Sequence, residues 1–125
     1  MLVDTDVLIW FMRGNDKAAA AINALPQVLL SAVTYIELVQ GLRNKRELKA
    51  LRTSLTALEA RILPITEAIS NKAMFYVEQH FHSHSLRLAD ALIAAAAVEN
   101  AISLLTGNTK HYAPITDVEL KRFRP

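Results

Sequence analysis

The chain has 125 residues, 52% hydrophobic and 21% charged, a balance that fits one globular domain and excludes a disordered or fibrous chain. It has no cysteine, which excludes disulfides, thiolate nucleophiles and thiol redox chemistry, so any metal must bind through oxygen or imidazole. Fourteen Lys and Arg against twelve Asp and Glu leave a net charge of +2, too small by itself to announce a polyanionic partner.

The N-terminal MLVDTDVLIW carries acids inside its apolar run and has neither a basic leader nor a small-residue cleavage site, so it does not read as a signal peptide. It reads as a short buried strand, Leu2-Val3, interrupted by the small polar break Asp4-Thr5-Asp6 and continued as a helix. Asn15 or Asp16 is placed to cap an alanine-rich helix that ends before Pro26, and VLLS at 28–31 reads as a second strand. From Ser31 to Leu42 a helix is expected, capped by Ser31 or Thr34, closed near Gly41, with Val33, Ile36 and Val39 on its apolar face.

Leu48, Leu51, Leu55 and Leu58 recur at three and four residues, which predicts an amphipathic helix over about 45–60. Arg43, Lys45, Arg46, Lys49 and Arg52 form a basic run on or beside it. Residues 62–65 read as a brief third strand edged by Pro64, after which Thr66 caps a helix reaching about Phe81. Its expected buried stripe is Ile69, Ala73, Tyr76, Val77 and Phe81. The polar connection FHSHSLR leads to a long apolar helix over roughly 87–100, then a fourth strand at 102–106 and a turn at Gly107-Asn108. DVELKRF adds a final edge strand, and Lys121, Arg122 and Arg124 make a second basic group.

Strands alternating with helices imply an α/β fold: one domain over 1–125, with a parallel sheet of four to five strands covered by helices on both faces. Ligands of such sheets bind beyond the carboxyl ends of the strands, where Asp4 and Asn108 both fall. No apolar run reaches the roughly 20 residues needed to span a bilayer, so a cytoplasmic location is expected.

Four acids stand close to apolar segments: Asp4, Asp6, Glu37 and Asp90. Buried like charges need compensation, and a hard divalent cation with oxygen ligands supplies it. Setting those four aside leaves eight acids against fourteen bases, so the rest of the surface would suit a polyanion. Each acid also has a plain explanation. Thr34-x-x-Glu37 has capping-box spacing, Asp90 could cap a helix starting at Ala91, and Asp4 could be a turn residue.

Taken together, LVDTDVLIW, SAVTYIELVQG, LADALIAAAA and LLTGNTKHY resemble, in order and spacing, the four motifs of PIN-domain nucleases, and in particular the VapC-like toxins of type II toxin–antitoxin systems. The resemblance covers essentially the whole chain. It implies a metal-dependent endoribonuclease in which Asp4, Glu37 and Asp90 hold Mg2+ or Mn2+. Asp6 would complete the acidic pocket, and Thr5 and Thr106 would steady the carboxylates. Asn108 stands where relatives commonly carry a fourth acid, which implies altered metal affinity with activity retained, and His111 stands where many have another acid. The implied substrate is structured RNA such as tRNA or rRNA, cut to a 5′-phosphate and a 3′-hydroxyl. The implied partners are a small DNA-binding antitoxin whose tail enters the acidic groove, and a second copy of the chain.

Two other readings stay open on sequence. Asp4-Thr5-Asp6-Val7 also resembles the nucleophile motif of haloacid-dehalogenase-type phosphatases, although the chain is short for that class and lacks its later acidic pair. Asn108 could mark a non-catalytic module that binds RNA or a partner through its basic face. His80, His82 and His84 alternate at a helix end, a pattern more typical of exposed residues than of a zinc site, and Trp10 and Phe11 read as core or partner-facing.

Overall fold

Leu2-Val3, Leu29-Leu30 and Leu104-Leu105 alternate sides of one sheet, so each strand sends one side chain into each of two cores. The computed structural model describes residues 1–82 and 86–125. Its strands are β1 (Leu2–Val3), β2 (Leu29–Ser31), β3 (Arg61–Leu63), β4 (Leu104–Thr106) and β5 (Leu120–Arg122). They form an all-parallel sheet in the order β3-β2-β1-β4-β5. The chain winds from β1 outward through β2 to β3, then returns to the other side of β1 for β4. The order therefore reverses between β1 and β4, and a crevice opens beyond their carboxyl ends.

The helices are α1 (Thr5–Met12), α2 (Asp16–Asn23), α3 (Ala32–Gln40), α4 (Lys45–Ala57), α5 (Glu67–Gln79), α6 (Leu88–Glu99) and the short α7 (Thr109–Tyr112). On one face Leu2, Leu29 and Leu104 pack with Ile69 and Tyr76 of α5 and the alanine run of α6. On the other, Val3, Leu30 and Leu105 pack with Val7 and Leu8 of α1, Ile22 of α2, and Leu51 and Leu55 of α4. Leu51 and Leu55 of α4 thus belong to the domain's own core, with Leu58 packed at its edge. Ala91 and Ala94 to Ala97 are all at most 1% exposed, and their small side chains let α6 lie close against the sheet and α5.

Side-chain caps and turn geometry set the helix limits. Ser31 caps α3 by accepting the Val33 N–H at 3.0 Å, while Thr34, the alternative cap, sits fully buried within the helix. Asn15, Asn44 and Thr66 cap α2, α4 and α5 by accepting backbone N–H groups. Helices α1, α4 and α6 end alike: Gly14, Glu59 and Ala101 take positive φ, and the next residue's N–H reaches back to Trp10, Leu55 and Ala97 carbonyls.

Several sequence expectations shift. Strand β4 begins at Leu104, not 102, because the αL turn at Ala101 takes the Ile102 N–H for the helix end. Helix α5 stops at Gln79, and its buried stripe is Ile69, Ala73 and Tyr76; Val77 and Phe81 are 40% and 68% exposed. On α3 the buried positions are Val33, Thr34 and Leu38, which turns Ile36 outward. No helix is long and apolar enough to cross a membrane among the described residues.

Candidate active site

Asp4 directly follows β1 and caps α1, which fixes its carboxylate at the mouth of the crevice. It is only 4% exposed. Its Oδ2 accepts the Thr106 hydroxyl at 2.7 Å and the Tyr112 hydroxyl at 3.0 Å, and its Oδ1 accepts the Thr5 N–H at 2.8 Å. The buried Thr106 hydroxyl in turn accepts the Asn108 N–H at 2.9 Å, which leaves its own proton free to point at Asp4. Burial pushes the Asp4 carboxyl up to about 6, further raised by Asp6 and opposed by the three donors.

Asp6, the second residue of α1, accepts the Gly107 N–H through Oδ2 at 2.9 Å. Its other oxygen, Oδ1, is buried and has no hydrogen-bond partner. Burial raises this carboxyl as well, against the opposing pull of the Gly107 amide. Glu37 is half-buried on α3 and accepts the Thr5 hydroxyl at 2.7 Å; that hydroxyl also lies 3.0 Å from the Thr34 hydroxyl. The capping-box explanation of Glu37 therefore falls: Ser31 is the cap, and Glu37 is tied through Thr5 to Asp4.

Asp90 is the third residue of α6 and not its cap; its Oδ2 accepts the Arg87 N–H at 3.2 Å. Oδ1 of Asp90 faces Nδ1 of His111 at 3.9 Å. The Tyr112 phenol is driven far above its ordinary range by burial and then by the charges of Asp4, Asp90 and Asp6, so it remains a proton donor. That one hydroxyl therefore feels all three aspartates. Tyr112 is the site residue that the sequence did not reveal, since a tyrosine in a four-residue helix has no periodicity to mark it.

Thr5 thus joins Asp4 to Glu37, while Asp6 is held by Gly107 and Asp90 by the Arg87 N–H, their charges bearing with that of Asp4 on the Tyr112 phenol. Asp4, Glu37 and Asp90 do not, however, form a closed cage. No three acidic or histidine side chains among the described residues gather tightly enough to hold an ion by themselves; Glu37 accepts the Thr5 hydroxyl and Asp90 the Arg87 N–H. Asn108 contributes through its backbone N–H, while its side chain is exposed. The donor set still fits a divalent cation. All its ligands are oxygens, Asp6 Oδ1 is a buried acceptor with nothing to accept, and Mg2+ binds through one or two carboxylates while keeping several waters.

A family model, the PIN domain, matches residues 1–114. The chain belongs to the PIN domain family. It is 29% identical over 123 residues to Ribonuclease VapC19 of Mycobacterium tuberculosis, covering 94% of this chain and 96% of that one. Among solved structures, a toxin–antitoxin complex from Klebsiella pneumoniae contains a chain with 30% identity and a TM-score of 0.79, covering 94% of this chain and 93% of that one. A VapBC2 complex from Rickettsia felis bound to a promoter DNA fragment shares the fold at TM-score 0.85 and 15% identity, covering 98% of both chains. Membership of this family removes the haloacid-dehalogenase reading of Asp4.

Beside the acids, this PIN domain has a groove of about 560 Å³ between α1, α3 and α4, lined by Ile9, Met12, Arg13, Glu37, Arg43 and Leu51 among others. Arg43 is paired with Glu47 at 3.0 Å. Lys45, Arg46, Lys49 and Arg52 are exposed along α4, with no ion pair among the described residues. His80 is half-buried, and His82 is exposed and lies against the Phe81 ring. His84 lies outside the described residues. Trp10 and Phe11 are half-buried against the α1–α4 core.

Proposed function

We propose that the chain is a metal-dependent endoribonuclease, the toxin half of a type II toxin–antitoxin pair, held inactive by a small DNA-binding antitoxin. The observation that carries this is the carboxylate pair at the β1/β4 crevice, with buried Asp4 held by three donors and half-buried Asp6 keeping a buried Oδ1 without one. A site built only to be stable would not leave that oxygen unpaired. The likeness to Ribonuclease VapC19 and to toxin–antitoxin complexes supports both the reaction and the partner.

Asp4, Asp6 and Asp90 would hold Mg2+ or Mn2+, with Glu37 joining through Thr5 or an intervening water. Bound there, the ion supplies charge neutralisation at a phosphodiester and a water of lowered pKa for in-line attack. The chain's own groups set the geometry: Thr106, Tyr112 and the Thr5 N–H fix the Asp4 carboxylate, and the Gly107 N–H fixes Asp6. The exposed bases of α4 would bind the RNA backbone, with tRNA or rRNA as the substrate. A cytoplasmic location follows from such a substrate. The chain would pair with a second copy, and the exposed Met74, Phe75 and Val77 of α5 are apolar surface available for it.

The test is to incubate purified protein with total RNA in Mg2+, Mn2+ or EDTA, beside an Asp4→Asn, Asp90→Asn double variant. Discrete cuts that need metal and vanish in the variant are expected. Folded, antitoxin-free protein that cuts no RNA under any condition would overturn the enzyme reading in favour of a binding-only PIN domain.

A further inference from the structure

A carboxylate oxygen has two lone-pair positions, and those on Asp4 are filled unequally. Oδ2 receives two hydroxyls, from Thr106 at 2.7 Å and Tyr112 at 3.0 Å, so both its positions are taken. Oδ1 receives only the N–H of the adjacent Thr5, at 2.8 Å. One oxygen is closed to further ligands and the other has a position open.

Neither closing donor is free to leave. Tyr112 is 1% exposed, with its ring in the α5–α6 core. Thr106 is fully buried, and the Asn108 N–H occupies its hydroxyl oxygen and so directs its proton. The Tyr112 hydroxyl donates to Asp4 and to no other group among the described residues.

We infer that Tyr112, acting with Thr106, is a positioning residue that limits Asp4 to one-oxygen coordination and thereby makes the site select a small octahedral cation over calcium. The inference rests on the reading of this crevice as a divalent-cation site. Calcium takes six to eight oxygens at about 2.3–2.6 Å and accepts carboxylates through both oxygens. Magnesium demands near-octahedral geometry at about 2.0–2.1 Å, keeps its waters, and is well served by a single carboxylate oxygen. With Oδ2 closed, the site offers Asp4 in the second manner only.

The experiment is calorimetric titration of the wild-type protein and Tyr112→Phe with Mn2+ and with Ca2+ at pH 7.5, with melting temperatures taken in EDTA. Freeing one position on Oδ2 is expected to shift the ratio of Mn2+ to Ca2+ affinities toward calcium by about tenfold, within the range seen when ligand-supporting residues are altered. Thr106→Val, which removes the other donor, is expected to shift it the same way and stands in if Tyr112→Phe does not fold. Wild-type protein that prefers Mn2+, together with folded variants whose ratio stays within twofold or whose affinities fall equally for both ions, would overturn the positioning role alone. Wild-type protein that binds no Mn2+ would overturn the metal-site reading, and this inference with it.

Discussion

The backbone N–H of Gly107, the first residue after β4, donates to Oδ2 of Asp6 at 2.9 Å, joining the end of β4 to the first turn of α1 across 101 positions. A Cβ at Gly107 would stand 2.6 Å from that oxygen and 3.3 Å from the Phe123 carbonyl. The glycine is required here for space, not for its backbone angles. Gly107→Ala is expected to displace the Asp6 carboxylate and lower Mn2+ affinity by about 10- to 100-fold. Titration calorimetry checks this; an unchanged affinity would mean that Asp6 plays no part in holding the ion.

Asp4 should make the metal-free protein pH-sensitive. Its folded pKa, about 6, lies above the ordinary 3.8, so between those values the folded state binds the proton more tightly than the unfolded state. Its contribution to stability is therefore greatest at low pH and is lost as pH rises through about 6. At pH 7.5 the ionised, buried carboxylate costs at most about 3 kcal/mol. In EDTA, Asp4→Asn is expected to be more stable than the wild type at pH 7.5 and to lose about two-thirds of that advantage by pH 4.5. Urea unfolding of both proteins across this range measures the difference, and parallel curves would contradict it.

Thr5 links two of the acids, through its N–H to Asp4 and its hydroxyl to Glu37. Thr5→Val keeps the shape and the N–H but leaves Glu37 without its donor. Metal-dependent RNA cleavage is expected to fall about 10- to 100-fold, with Thr5→Ser retaining most of it. Equal loss in both variants would point to packing of the threonine methyl instead.

Ala101 adopts a φ of 54° where α6 turns into the segment before β4. A left-handed conformation costs a residue with a Cβ about 1–2 kcal/mol, part of which glycine returns as unfolded-chain entropy. Ala101→Gly is expected to stabilise the fold by about 0.5–1 kcal/mol, a rise of roughly 3 °C in Tm, with catalysis unchanged. A lower Tm would show that the Ala101 methyl packs more usefully than its exposure suggests.

The order of the elements was legible because turn and cap residues punctuate nearly every boundary: Asn15, Ser31, Thr66 and Gly107 each mark one. Asp4, Asp6, Glu37 and Asp90 stood out as acids beside apolar segments, and hydrogen bonds and shared charge effects link them across the folded crevice. Periodicity misled at Ile36, Val77 and Phe81, since it marks the side of a helix that is apolar without showing how far its neighbours reach around it. The linking groups were harder to see. The Asn108 and Gly107 contributions are backbone N–H groups, which no side-chain pattern encodes, and Tyr112 meets Asp4 only through a contact 108 residues long.

The most direct test of the carboxylate crevice as a hydrolytic centre is the chemistry of the RNA ends it produces. Cleavage in Mn2+ by the wild-type protein, with the Asp4→Asn variant as control, would be followed by separate ligation assays for 5′-phosphate and for 2′,3′-cyclic phosphate ends. Attack by a metal-activated water with the 3′-oxygen as leaving group, the course that the resemblance to PIN-domain nucleases implies, leaves a 5′-phosphate and a 3′-hydroxyl, and such ends, absent in EDTA and in the variant, are expected. Cyclic phosphate ends that persist in EDTA would contradict this and show that the 2′-hydroxyl is the nucleophile, without the carboxylate-bound ion.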